Sequence, residues 1–149
     1  MAQLRPVERP RATPAYPPPR PVASDPGLAA FRILHVAFTA LPLLAGIDKF
    51  LGGLGPWRGY LAPDIADLLG VSSQALLRGV GALEIAAGVI VAVEPRVGGW
   101  LVAGWLWAIV ANLLLLPGYY DIALRDLTLS LGAVALARLA PPGGRGRRR

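Results

Sequence analysis

The stretch "YYDIALRDLTLSLGAVALARL", residues 119–139, decides how the chain is read. Its first turns carry Asp121, Arg125 and Asp126, and the remainder is almost purely apolar. An arginine beside an aspartate, at the point where a helix would enter lipid, needs partners from elsewhere in the chain. The rest of the sequence supplies them.

Across its 149 residues the chain is 54% hydrophobic and only 16% charged, with a mean hydropathy of +0.52. A soluble domain carries roughly 25% charged residues. The apolar excess lies in long runs, with most arginines pushed to the ends, which is the pattern of an integral membrane protein. No cysteine is present, so the chain hosts neither a disulfide nor a thiol redox couple. The net charge of +6 sits largely in the tail "GRGRRR" and a Pro-rich head. Flanking long apolar runs, it reads as a cytoplasmic topology signal and not as a nucleic-acid arm.

Residues 1–26 hold eight prolines and no apolar periodicity, as expected of a disordered cytoplasmic leader. Residues 27–140 form the membrane domain, and residues 141–149 a disordered, Arg-rich cytoplasmic tail. Four spans are expected: Leu28 to Leu51, with Asp25 as cap; Gln74 to Val93, capped by Ser72 or Ser73; Val97 to Leu116; and Tyr120 to Ala140. Each reaches the length of about 20 residues that a bilayer core requires. Short loops make the last three antiparallel neighbours. The longer link, "GGLGPWRGYLAPDIADLLGVSSQ" (residues 52–74), predicts a brief amphipathic interfacial helix with Ile65, Leu68 and Leu69 on one side, anchored by Trp57 and Tyr60. The expected fold is thus all-α: an antiparallel four-helix bundle in the cell membrane. Arginines at both ends put both termini in the cytoplasm, although Arg58 and Arg78 on the opposite side run against the trend.

In this arrangement each helix brings a polar group to the outer half of the bundle: Asp48 and Lys49, Glu84, Asn112, and Arg125 with Asp126. A charge at a helix centre costs about 2.5–3.5 kcal/mol even on the lenient insertion scale, so such groups face inward and pair. Lys49 and Arg125 oppose Asp48, Glu84 and Asp126, leaving one negative charge in excess. Glu84, deepest and without an evident partner, is the candidate to hold a proton. Neighbours on a helix point about 100° apart, which favours the cross-helix pairs Asp48–Arg125 and Lys49–Asp126. Arg125 becomes the central cation, clamped from the surface by Asp121. The cluster reads as a ligand or proton site, or equally as a device that fixes helix register. Gly79, Gly81, Ala82, Ala86 and Gly88 read as packing residues. Trp100, Trp105 and Trp107 read as lipid-facing or packing residues, and His35 as an interfacial residue without the partners a metal needs.

The segments "LLAGIDKF", "YLAP", "GALEIAAGVIV" and "YYDIALRDLTLSLGAVALA" together resemble the DoxX family of small four-helix membrane proteins, over residues 30–140. The helix ending in Gly46-x-x-Lys49 and the later "DIALRDL" carry the likeness. It implies a subunit that accompanies membrane oxidoreductases, among them thiosulfate:quinone oxidoreductase. Members that do thiol chemistry need cysteines, which this chain lacks. The expected function is therefore an accessory or anchoring subunit for a membrane-associated oxidoreductase, without catalysis of its own. No cofactor is evident, and quinone association would run through the partner. A carrier or sensor for a small molecule or proton, and a non-catalytic scaffold, are the alternatives.

Overall fold

The computed structural model describes residues 26–141. The Asp25 cap, nearly all of the leader and the tail from 142 onward lie outside the described residues. Within them the chain is all-helical: α1 (Pro26–Leu51), a 3₁₀ turn (Trp57–Tyr60), α2 (Pro63–Leu69), α3 (Ser73–Val93), α4 (Pro95–Leu114) and α5 (Tyr120–Leu139).

The boundaries have local causes. Ser72 accepts the Ala75 N–H on its side-chain oxygen at 3.2 Å and so caps α3. Pro63 and Pro95 open α2 and α4, where a missing N–H breaks no intrahelical bond. The Val91 carbonyl lies in the last turn of α3, where carbonyls have no intrahelical partner. His35 of α1 fills the gap, its Nε2 donating to the Val91 carbonyl at 2.9 Å. The residue expected to be merely interfacial is a tie between two helices.

Three helices, α1, α3 and α4, are long and apolar enough to cross a membrane, which marks a membrane protein. α5 matches α4 in length but carries Asp121, Arg125, Asp126 and Arg138, and its composition sets it apart from the other three.

The long helices associate as two tight pairs. In the first, a Cβ on Gly46 of α1 would stand 2.7 Å from the Gly81 carbonyl oxygen of α3. Only glycine allows that approach. Gly88 meets Thr39 and Leu43, whereas Gly81 meets Gly46 and Lys49. Residue numbers thus rise along one helix as they fall along the other, and the pair is antiparallel. Gly79 has nothing within 4 Å of its would-be Cβ, and Ala82 and Ala86 are exposed. Of the five small residues expected to pack, those three face outward. In the second pair Gly99 of α4 abuts Ala133 and Ala137 of α5, while Val110 and Leu113 meet Ala123. This pair too is antiparallel.

The pairs meet firmly at one end only. There Phe38, Ala87, Val91, Val102, Ala133 and Leu136, drawn from all four helices, form a common core. Towards the other end the second core, Val110, Leu113 and Ala123, belongs to α4 and α5 alone, with Tyr60 and Tyr119 against it. The two pairs part, and residues 52–72 fold over the opening. α2 carries Ile65, Leu68 and Leu69 on one side. Ile65 lines the space beneath, whereas Leu68 and Leu69 are 85% and 58% exposed. Trp57 and Tyr60, expected as interfacial anchors, line the same space from the 3₁₀ turn.

Candidate functional site

The space between the helix pairs is a cavity of about 590 Å³ with predominantly apolar walls. Phe38, Val102 and Leu106 form part of its lining towards the common core. Its polar lining comes from Lys49, Glu84, Asn112, Arg125 and Asp126, and the roof includes Trp57, Tyr60 and Leu61. Five of the six residues singled out in the sequence therefore share one cavity. The sixth, Asp48, is buried behind it.

Their pairing differs from expectation. Lys49, near the end of α1, extends to Glu84 of α3, with Nζ and Oε2 2.5 Å apart and side-chain exposures of 6% and 9%. Glu84 thus has a partner, in contrast to its reading as the unpaired proton holder. The same ammonium sits 3.9 Å from the centroid of the Trp57 ring, a cation–π contact. Asp48 turns the other way. Gly52, at φ +75°, reverses the chain just beyond α1. The Gly53 and Leu54 N–H groups then each donate to the Asp48 carboxylate at 2.8 Å, and the Trp57 indole N–H donates at 2.6 Å. Trp57 thereby joins both neighbours, Asp48 by its edge and Lys49 by its face.

Arg125 is not the central cation. Its side chain is 63% exposed, and its Nε donates to Asp126 of the adjacent position at 2.9 Å. The expected pairs Asp48–Arg125 and Lys49–Asp126 are absent among the described residues. So is a clamp by the exposed Asp121. The adjacent pair forms because the long guanidinium stem can fold back around the helix to the shorter, buried carboxylate. Asp126 is 5% exposed and lies near enough to Glu84 for its charge to be felt there.

Asn112 is a latch. Its Nδ2 donates to the Tyr60 carbonyl at 2.5 Å, and its Oδ1 accepts the Ala62 N–H at 2.9 Å. Two backbone groups of the roof are thus held by one amide of α4. Tyr119 closes the same corner, edge-on to Tyr60 at a centroid distance of 5.5 Å.

Sequence reasoning missed Trp105. Its ring lines the cavity, and its indole N–H is buried beside Glu84 without a hydrogen bond of acceptable geometry. The available signal was spacing: Trp105 and Asn112 stand seven residues apart, two turns along one face of α4. Trp107, by contrast, is 57% exposed, and Trp100 lies under the Arg138 guanidinium at 5.8 Å.

No family model matches this chain, and neither a curated protein nor a solved structure matches it significantly.

Proposed function

We propose that this chain is a four-span membrane protein, both termini cytoplasmic, that binds a small lipid-soluble molecule between the pairs α1/α3 and α4/α5. α5 is the fourth span in this reading: its charged turns sit at the roofed end, and Asp126 points inward. The observation that carries the reading is the cavity itself. Cavities of about 300–1,000 Å³ with a few placed polar groups are the usual form of a small-molecule site.

The likeness to DoxX proteins supplies a setting: an accessory or anchoring subunit beside a membrane oxidoreductase, with a quinone held by that partner. The binding reading does not depend on that setting. Purification in mild detergent, followed by extraction and mass spectrometry, tests it. A molecule retained near one equivalent, and lost when Ala45→Phe fills the cavity, is expected. Equal retention by both forms would refute the reading and favour a scaffold whose charges only fix helix register.

A further inference from the structure

Arg58 and Arg78 belong to the roofed end of the molecule, where the arginine trend predicts few cations. We propose that they form a site for the phosphate head of an acidic phospholipid, in a groove between the end of α1 and the start of α3. The groove encloses about 460 Å³ and backs on to the first cavity, with which it shares Lys49, Trp57 and Leu77. Phe50 and Leu51, 51% and 78% exposed, give it an apolar lip, and Arg58 and Gln74 line its polar side. Both α1 and α3 are long and apolar enough to cross a membrane. The groove therefore opens where two spans leave the hydrocarbon, level with the lipid head groups. It is separate from the cavity and does not depend on what fills that.

Gln74 ties the two arginines together. Its side-chain oxygen accepts from Arg58 Nη2, and Arg78 stands one turn further along α3. Positions 74, 77, 78 and 81 fall on one stripe of that helix, and Gly81 on the stripe abuts Lys49 and Phe50 of α1. Both arginines are exposed, and among the described residues neither has an ion pair. No carboxylate lines the groove. Asp48 is held by three N–H donors and Glu84 by Lys49, while Asp64 and Asp67 of α2 are exposed and form no ion pair. Arg78 lies about 7 Å into an apolar helix, at 1.5 Å per residue. An arginine at that depth draws a counter-ion, and the bilayer's own is phosphate. Guanidinium forks receive phosphate oxygens in pairs. A zwitterionic head brings a cation with its phosphate, so two unpaired arginines favour a head of net negative charge.

Phosphatidylglycerol carrying a photoactivatable diazirine on its head tests the site in nanodiscs of phosphatidylcholine that hold the full chain. Peptide mapping after irradiation should find label on residues 50–58 and 74–78, displaced by unlabelled phosphatidylglycerol. Arg58→Gln and Arg78→Gln should each weaken that labelling by about fivefold. Lysine at either position, which keeps the charge, should retain most of it. Arg32→Gln with Arg96→Gln, exposed arginines at the other end of the bundle, should leave it unchanged. Equal labelling by a phosphatidylcholine probe, or labelling that survives loss of both Arg58 and Arg78, would overturn the proposal. Displacement by glycerol phosphate as effective as by phosphatidylglycerol would overturn the lipid as the source of the phosphate. Ala45→Phe, which fills the cavity, should not alter groove labelling; its loss there would merge the two sites and overturn a separate one. An unchanged unfolding midpoint in the glutamine variants excludes a folding defect as the cause of weakened labelling.

Discussion

Glu84→Gln should be among the most damaging conservative changes in the chain. Lys49 and Glu84 are less than a tenth exposed and stand 2.5 Å apart. At an effective dielectric constant of about 20, that separation corresponds to a gross attraction of about 6–7 kcal/mol, before the desolvation that offsets much of it. Removing one partner leaves the other charge buried and uncompensated, which costs about 3–5 kcal/mol. Lys49→Met should cost a similar amount by stranding Glu84. Lys49→Met combined with Glu84→Leu removes both charges and keeps most of the volume, so it should recover most of the loss. Reversible unfolding in mixed micelles, followed by tryptophan fluorescence, gives the four corners of a double-mutant cycle. A coupling energy near 3 kcal/mol is expected. Additive single effects, or a Glu84→Gln protein as stable as the parent, would refute the buried pair.

Asn112→Ala should release the roof: two hydrogen bonds are lost, worth about 1–3 kcal/mol together, and amide exchange at Ala62 should accelerate without a matching change in α3. Unchanged protection there would rule out the latch. Gly81→Ala and Gly79→Ala form a contrast on one helix. The first drives a Cβ to 2.9 Å from the Gly46 carbonyl oxygen and should destabilise by about 1–3 kcal/mol. The second meets nothing within 4 Å and should be neutral or gain up to about 1 kcal/mol. His35→Phe should lower the unfolding midpoint, at a cost of about 1–3 kcal/mol, by leaving the Val91 carbonyl unsatisfied. Reporters fused after residue 149 and beside Arg58 should report opposite sides of the membrane; signals from one side would remove the four-span arrangement.

The helices were legible because their signals are local. Apolar runs of spanning length, Ser72 as a cap, and prolines at the starts of α2 and α4 lie within a few residues of what they determine. The polar residues of the site were legible for a related reason: a charge inside an apolar run stands out, and its cost implies burial. Their pairing was not legible, since it depends on rotation about each helix axis and on where a loop returns. Asp48 looks to the loop because Gly52 and the two residues after it bring free amides back over the end of α1. Periodicity carries no trace of that reversal. Arg125 and Asp126 depart from expectation because backbone direction separates neighbours by 100°, while a long arginine stem can cover that angle.

The firm joint at one end and the parted pairs at the other make the molecule resemble a clothes peg. An occupant seated near Glu84 would lie beneath the roof that Asn112 latches, with the Phe38–Leu136 core behind it as a stop. On the proposed binding reading, entry and exit at the roofed end would leave that core intact. Passing anything through to the far leaflet would require dismantling the one region where all four long helices hold together. The proposed binding role thus implies a holder or sensor that exchanges its occupant at the roofed end, where a partner on the same side would meet it.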